Sequence, residues 1–437
     1  MTEADCFRSL DVDPSGVPFA ELTPARLRTE RTSIKWTRFP EDVLPLFVAE
    51  MDFALAPEIR EALISRVSAS DTGYLDGPGP LAPAFAGYAR DAWGWEVPTE
   101  HVFLATDVAT GVVESLRVEG ALRRRAADAG GAAPSGRIVV PTPVYPGFFE
   151  MLEELPYEIV EVPLVAGSGS GSLPGSGSAA TAPAGAAASP ELRLDLAAIE
   201  QAFAAGADAF LLCNPHNPHG LVHSADELAE LARLAAAHDV FVVSDEIHAP
   251  LTHAGETFTP FAPLAAAAGA LSVTTTSASK GWNLAGAKCS VIVAADARAA
   301  AALELLPPEA VTRSSILGLH AGIAAFTQGR AWLARTIAQV EANQTLLSDL
   351  VAAQLPGVRV APSRAGYLAW LDFRDAGLGD DPYQRILDDA RVALNNGAFF
   401  GAGGAGHVRL NLACAPDTIR EAIARIAAII DAPEAQA

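Results

Sequence analysis

The sequence predicts an α/β fold built on a mostly parallel β-sheet with helices on both faces. Short apolar, β-branched segments bounded by turn residues alternate with longer helical patterns through the middle of the chain. The chain has 437 residues, of which 50% are hydrophobic, and this exceeds what one core usually holds. Ligands of such sheets bind beyond the carboxyl ends of the strands. Polar residues at those ends are therefore the first candidates for a site.

Five segments have the character of buried strands: "GRIVVPTP", "ADAFLLCNP", "DVFVVSDEI", "LSVTTTS" and "CSVIVAAD". Between the second and the third lies "SADELAELARLAAAHD", where Ser224 and Glu227 have capping-box spacing. Leu228, Leu231 and Leu234 recur there on one face, which predicts a helix. The repeated order of strand, helix and strand indicates parallel pairing.

The domain organisation follows from where this pattern begins and ends. We expect residues 1–55 to join a small domain, residues 56–300 to form a large domain, and residues 301–437 to complete a small α+β domain. The segment 166–190 is rich in Gly, Ser, Ala and Pro and has no charged side chain. Such a segment cannot bury enough surface to offset its ordering entropy, so it is predicted to be a flexible surface insertion.

Charge and composition exclude several classes of protein. The net charge of −22 argues against a nucleic-acid or anionic-membrane partner, since phosphates are bound by basic patches. The four cysteines are scattered, which is typical of buried thiols in a reducing compartment. The first residues lack the pattern of a signal peptide, and no apolar stretch approaches the roughly 20 residues that span a bilayer. We expect a cytoplasmic protein, and no metal site is predicted.

Three polar residues follow successive predicted strands: Asn217, Asp245 and Lys280. Two of them have an ordinary explanation by themselves, because Asn-Pro pairs form turns and an aspartate often caps a strand end. A lysine in a loop of small residues, by contrast, is poorly explained by packing. Together they suit pyridoxal 5′-phosphate (PLP). An amine bonds to the aldehyde of this cofactor, a buried carboxylate keeps its pyridine nitrogen protonated, and an amide near O3′ tunes it.

The motifs around these residues also carry a family resemblance. The stretches are "VAEMDF", "GY" at 73–74, "PTPVYPGF", "NPHNPHG", "SDEIHAPL", "SASKGWNLAGAK" and "RLNLA". They resemble fold-type I PLP enzymes of the class I/II aminotransferase superfamily, and within it the MalY/PatB group of cystathionine β-lyases. The motifs extend over most of the chain in the order of the family.

The resemblance implies roles around the cofactor ring. Lys280 would bond the cofactor and act as the base that removes the Cα proton. Asp245 would pair with the pyridine nitrogen, and Asn217 would bind O3′. The remaining ring contacts would come from Tyr145 on one face, Ile247 on the other, and His248 near O3′. Tyr145 could instead be an ordinary core aromatic residue.

The resemblance also implies phosphate and substrate contacts. The phosphate would be held by Ser277, Lys288 and the backbone amides of Val108 and Ala109. Tyr74, which is counted among the catalytic residues, would reach the phosphate from the other subunit of a homodimer. Alternatively, Tyr74 only packs within its loop. Arg409 would bind the substrate α-carboxylate, unless it is a surface residue. Trp282 and Asn283 would contact the amino-acid substrate or only shape their turn.

The implied function is a C–S β-lyase. It would cleave L-cystathionine or a related cysteine S-conjugate to a thiol (homocysteine), pyruvate and ammonia, as in methionine biosynthesis. One alternative is an aminotransferase, which would pass the amino group to a keto acid. Another is a regulatory binding protein of the same fold. The sequence does not identify the thioether substrate.

Overall fold

The computed structural model describes residues 13–167 and 192–430. The predicted insertion, 166–190, therefore lies outside the described residues except for its first two positions. The strands in chain order are β1 (Leu44–Pro45), β2 (Val102–Ala105), β3 (Arg137–Thr142), β4 (Glu158–Pro163), β5 (Val165–Ala166), β6 (Leu192–Arg193), β7 (Ala209–Cys213), β8 (Phe241–Asp245), β9 (Ser272–Thr276), β10 (Ser290–Ala294), β11 (Arg359–Val360), β12 (Leu368–Asp372), β13 (Val392–Ala393), β14 (Asn395–Asn396) and β15 (His407–Asn411).

A seven-stranded sheet has the order β2-β10-β9-β8-β7-β3-β4. The pairs from β9 through β8, β7 and β3 to β4 are parallel, whereas β10 is antiparallel to both β2 and β9. The five strands predicted from the sequence are β3, β7, β8, β9 and β10, so the predicted α/β fold is confirmed. Because β7, β8 and β9 are parallel neighbours, the residues that follow them meet at one edge of the sheet.

Helices cover both faces of this seven-stranded sheet, and others pack against a second, smaller sheet that is described below. In chain order they are α1 (Pro24–Glu30), α2 (Ile34–Thr37), α3 (Pro57–Ser68), α4 (Leu81–Trp93), α5 (Val108–Asp128), α6 (Gly147–Leu152), α7 (Leu196–Ala204), α8 (Ala225–Ala237), α9 (Phe261–Ala268), α10 (Ala278–Gly281), α11 (Ala297–Leu303), α12 (Pro308–Thr312), α13 (Ile316–Gln328), α14 (Arg330–Gln354), α15 (Pro382–Asp388) and α16 (Pro416–Ile430). Within the described residues, no helix is long and apolar enough to cross a membrane.

The predicted helix is α8, and its N-terminus differs in one detail from a full capping box. The Ser224 hydroxyl accepts a hydrogen bond from the Glu227 backbone N–H at 3.1 Å, as expected. The Glu227 carboxylate, however, accepts from the Leu194 N–H at 2.6 Å and lies 3.0 Å from the His223 ring. It therefore ties the helix start to the preceding segment rather than to Ser224.

The second sheet has the order β11-β12-β15-β14 and is antiparallel. The C-terminal helix α16 buries Ile419, Ile423 and Ile426 completely, so these isoleucines are core residues. The N-terminal region joins this part of the chain, because β1 pairs in parallel with β13. The free cysteines Cys213 and Cys414 are buried and Cys289 is half-buried.

Residues 47–53, here called the strap, cross from the N-terminal region toward the edge of the large sheet. Side chains from distant parts of the chain donate hydrogen bonds to every one of its carbonyl groups. The donors are Arg409 to residue 47, Asn411 to 48 and 50, Lys280 and Tyr367 to 49, Lys35 to 50, Asn283 to 51 and 53, and Arg31 to 51, 52 and 53. The strap is therefore held both by β15 of the four-stranded sheet and by the segment that follows β9 of the seven-stranded sheet.

Replacing Lys35 with Met should strongly destabilise the fold. The Lys35 amine and the Asp52 carboxylate form a fully buried ion pair at 2.5 Å, so the variant leaves Asp52 buried without its cation. Breaking such a pair costs about 3–5 kcal/mol. Urea unfolding should show this loss in the free energy of unfolding. The exposed pair of Arg420 and Asp417 supplies the control, since Arg420→Ala should cost less than about 1 kcal/mol. Equal losses in the two variants would contradict the account.

Candidate active site

A cavity of about 500 Å³ lies beyond the carboxyl ends of β7, β8 and β9. It brings together most of the site residues that were predicted from the sequence. Those that line it are Val108, Ala109, Tyr145, Asn217, Asp245, Ile247, His248, Ser277, Lys280, Lys288 and Arg409. Strand order explains the convergence, since residues far apart in sequence follow neighbouring strands.

Lys280 lies on α10, the short helix that follows β9. Its amine donates a hydrogen bond to the Ala49 carbonyl of the strap at 2.8 Å. Burial lowers the pKa of Lys280 from 10.5 to about 8, and the positive charge of Arg409 acts in the same direction. About a tenth of this amine is therefore neutral at pH 7, far more than an ordinary lysine amine, as a nucleophile or a base requires.

Asp245 is the last residue of β8 and is almost completely buried. One carboxylate oxygen accepts a hydrogen bond from the Ile247 N–H at 3.1 Å. No side chain in residues 13–167 and 192–430 forms an ion pair with it. Burial raises the pKa of Asp245 to about 7, although Lys280 opposes this shift. A buried carboxylate in this state suits a cationic N–H donor in the cavity, and a protonated pyridine nitrogen is such a donor.

Arg409 projects from β15 and is buried. Its guanidinium donates to the Asn217 amide oxygen at 3.0 Å and to the Asn395 amide oxygen at 2.7 Å. Its Nε has no hydrogen-bond partner among the described residues, and no carboxylate there pairs with it. A buried guanidinium held only by neutral groups is suited to bind an incoming carboxylate.

Three further residues line the centre of the cavity. Tyr145 is 40% exposed and Ile247 is half-buried. His248 is buried, and its Nδ1 has no partner among the described residues. Burial lowers the pKa of His248 to about 3, with Lys280 and Arg409 acting in the same direction. The imidazole is therefore neutral and can donate one hydrogen bond and accept another.

The opposite end of the cavity contains the start of α5, where the Val108 and Ala109 amides line the wall. Asp107 caps this helix, accepting hydrogen bonds from the Thr110 N–H at 2.9 Å and the Thr110 hydroxyl at 2.8 Å. The Lys288 amine pairs with the same Asp107 carboxylate at 2.8 Å. Sequence reasoning missed Asp107, although an aspartate before a helical segment is a recognisable N-cap.

Ser277, the other residue predicted to bind phosphate, also has partners within the chain. Its hydroxyl donates to the Cys289 carbonyl at 2.8 Å and accepts from the Ser279 N–H at 3.0 Å. The side chains predicted to hold the phosphate are thus engaged by the protein itself. An anion bound here would meet the amides at the start of α5 and would share Lys288 with Asp107.

Trp282 and Asn283 do not line the cavity, and we correct their predicted roles. The Trp282 indole is fully buried in the core and donates to the Gly329 carbonyl at 2.9 Å. The Asn283 side chain accepts from the Met51 N–H at 3.0 Å and donates to the Met51 carbonyl at 3.0 Å. Trp282 therefore packs the core, and Asn283 fixes the strap. Only the turn-shaping alternative agrees with these positions.

Tyr74 is not among the residues that line this cavity either. It is 92% exposed in the single chain. A tyrosine this exposed makes little contact with its own chain, so a contact with a cofactor would need a second subunit.

Chemical labelling should identify Lys280 as the reactive amine. The chain has three lysines, Lys35, Lys280 and Lys288, and the other two are ion-paired with Asp52 and Asp107. Incubation with PLP followed by borohydride reduction should label Lys280 alone among the three lysines. Only the neutral amine reacts, so the labelling rate should rise with pH through about 8 rather than 10.5. Peptide mass spectrometry measures both the position of the label and the rate of labelling at each pH. Label on Lys288, or a midpoint above pH 10, would contradict this.

Replacing Asp107 with Asn should tighten the binding of PLP. Asparagine keeps the N-cap but removes the negative charge that occupies Lys288. Because the pair is partly exposed, we expect about a three- to tenfold lower Kd, measured by titration of the cofactor-free protein. Pyridoxal, which lacks the phosphate, is the control and should bind equally to both proteins. Weaker PLP binding by the variant would mean that Asp107 positions Lys288 for the phosphate instead.

Comparisons with known proteins show the family to which this chain belongs. The family Aminotransferase class I and II matches residues 120–426. A Mycobacterium leprae protein assigned as a cystathionine β-lyase is 38% identical over 431 residues, which cover 94% of this chain and 97% of the relative. Cystathionine β-lyase PatB of Bacillus subtilis is 32% identical over 421 residues, covering 93% of this chain and 98% of PatB.

A solved structure from Corynebacterium diphtheriae, assigned as a PLP-dependent β-cystathionase, superimposes with a TM-score of 0.81. It is 32% identical, and the match covers 94% of this chain and 98% of the other. PLP fits the cavity, because the Asp245 carboxylate lacks a cation, Lys280 supplies an amine and α5 supplies amides. The chain belongs to the aminotransferase class I and II family of fold-type I enzymes, in its cystathionine β-lyase group, and its cofactor is PLP.

Proposed function

We propose that this protein is a C–S β-lyase that cleaves L-cystathionine, or a related cysteine S-conjugate, to a thiol, pyruvate and ammonia. The observation that carries the proposal is one cavity lined by Lys280, Asp245 and Arg409. These groups suit the binding and deprotonation of an α-amino acid. The relatives' activity, as their names give it, supports elimination rather than amino-group transfer.

Each of these groups has a role in the proposed reaction. When bound, PLP withdraws electrons from the substrate Cα. Arg409 binds the α-carboxylate, and the neutral Lys280 amine accepts the Cα proton. The Cβ–S bond then breaks, and the sulfur leaves as a thiolate that takes up the proton removed from Cα. Water hydrolyses the remaining three-carbon unit, so that cystathionine and water give homocysteine, pyruvate and ammonia. Asp245 stabilises positive charge at the pyridine nitrogen.

The strap positions the base in this scheme. The Ala49 carbonyl accepts hydrogen bonds both from the Lys280 amine and from the Tyr367 hydroxyl, each at 2.8 Å. Tyr367 is completely buried, so its hydroxyl holds this carbonyl in a fixed place. A fixed acceptor restricts the rotation of the Lys280 amine and keeps it within the cavity.

Two domains are part of the same proposal. Residues 56–300 contain the seven-stranded sheet and would form the large domain, and residues 301–437 contain the four-stranded sheet. Residues 1–55 would join the small domain, supported by the pairing of β1 with β13. Asn217 and Asp245 would then belong to the large domain and Arg409 to the small one.

A homodimer with shared active sites completes the proposal. Tyr74 is exposed, and so are Ile64 and Val67 on the preceding helix α3, at 58% and 57%. Exposed apolar side chains close together suit a subunit interface. Tyr74 from each chain would reach the phosphate in the other. A cytoplasmic location and a role in methionine biosynthesis fit this activity.

Incubating the PLP-loaded protein with L-cystathionine and no keto acid tests the reaction. We expect steady release of pyruvate and homocysteine, because elimination regenerates the cofactor without a second substrate. Lys280→Ala should reduce this rate about 1,000-fold or more, since it removes the base. The matched control is Arg233→Ala, which removes only an exposed ion pair on α8 and should leave the rate unchanged.

Two outcomes would contradict the proposal. Conversion of the cofactor to its amine form without pyruvate, followed by turnover on addition of a keto acid, would identify an aminotransferase. No reaction and no spectral change with cystathionine or any other cysteine S-conjugate would leave the regulatory alternative.

A further inference from the structure

Two charged side chains at the cavity have no role in the scheme above. Every other charged side chain that lines the cavity has a partner within residues 13–167 and 192–430 or a role in the proposed reaction. Lys288 pairs with Asp107, and Asp245, Lys280 and Arg409 serve the cofactor and the α-carboxylate. Arg38 and Glu150 line the same cavity, and neither side chain has a hydrogen bond or an ion pair within those residues.

Arg38 directly follows the short helix α2 and is exposed. Its guanidinium carbon lies 5.5 Å from the centre of the Phe47 ring, at the start of the strap. A cation over an aromatic face is held by the ring quadrupole without being neutralised. The Phe47 carbonyl in turn accepts a hydrogen bond from Arg409, so one strap residue contacts both arginines.

Glu150 lies on α6, which begins two residues after Tyr145. It is exposed and lines the same cavity as Arg38. Burial raises the pKa of Tyr145, and after the opposing effect of Arg409 the Glu150 carboxylate raises it further. Tyr145 and Glu150 both line the cavity, which places this carboxylate at its wall. The cavity therefore has an unpaired cation and an unpaired anion besides the groups that serve the reaction.

A charge pair of this kind is complementary to the zwitterion of an amino acid. L-Cystathionine has an α-ammonium and an α-carboxylate at each end of its thioether. One end is accounted for by Arg409 and the cofactor, and the other end leaves with the sulfur. An alkyl cysteine conjugate has no charge in its leaving group, so it gains nothing from these two residues.

Resting on the proposed function, we propose that Arg38 and Glu150 bind the carboxylate and the ammonium of the leaving group. The protein is then selective for thioethers that have an amino acid at both ends. Contacts between exposed charges contribute modestly to binding. Loss of either one should lower kcat/KM for L-cystathionine about three- to tenfold. The effect should fall on KM more than on kcat, because the leaving group's charges are remote from the bonds that break.

The test compares kcat/KM for L-cystathionine and S-ethyl-L-cysteine in the wild type, Arg38→Met, Glu150→Gln and the double variant. We expect kcat/KM for cystathionine to fall about three- to tenfold in each single variant, and further in the double variant. The value for S-ethyl-L-cysteine should stay within about twofold. Arg38→Lys keeps the charge and should recover part of the loss, which a purely structural role would not predict.

Binding is measured in parallel from the absorbance change of the cofactor as each amino acid is added. The inference is overturned, while the lyase activity stands, if the variants lower kcat/KM and binding equally for the two substrates or leave both values unchanged. If cystathionine binding alone weakens but no pyruvate forms in the wild type, the proposed reaction fails while the charge recognition stands.

Discussion

The site depends on one constraint, which is that the half-buried Lys280 and the buried Asp245 line one cavity without forming an ion pair. Desolvation shifts both pKa values toward neutrality, to about 8 for the amine and about 7 for the carboxylate. The fold thus maintains two groups whose charged forms are costly in this environment. A ligand with an aldehyde for the amine and a cationic ring nitrogen for the carboxylate relieves both costs, and PLP has these two features.

The strap connects this constraint to the rest of the molecule. Tyr367 also donates to the Ala49 carbonyl that holds Lys280, and Asn411 and Asn283 fix the neighbouring carbonyls of the strap. The buried pair of Lys35 and Asp52 fastens the far end of the strap. Stability and catalysis are coupled here, because loosening the strap would also free the amine of the base.

The sequence was sufficient for the features that follow from strand order. Apolar runs ending in polar residues predicted the sheet and the convergence of Asn217, Asp245 and Lys280. It could not show that β10 runs antiparallel, since strand direction depends on distant pairing. Trp282 was misjudged because a residue beside a catalytic lysine can point into the core or into the cavity. The contacts of the strap and the pair of Lys288 with Asp107 join residues far apart in sequence, which no local pattern reveals.

A crystal structure of the protein loaded with PLP would test the central claim most directly. The account predicts continuous density from the Lys280 amine to the cofactor, the ring nitrogen at the Asp245 carboxylate, and the phosphate at the amides of Val108 and Ala109. The Ala49 carbonyl should then keep only its bond from Tyr367. A cofactor attached elsewhere, or a ring turned away from Asp245 with Lys280 still bonded to Ala49, would contradict the account.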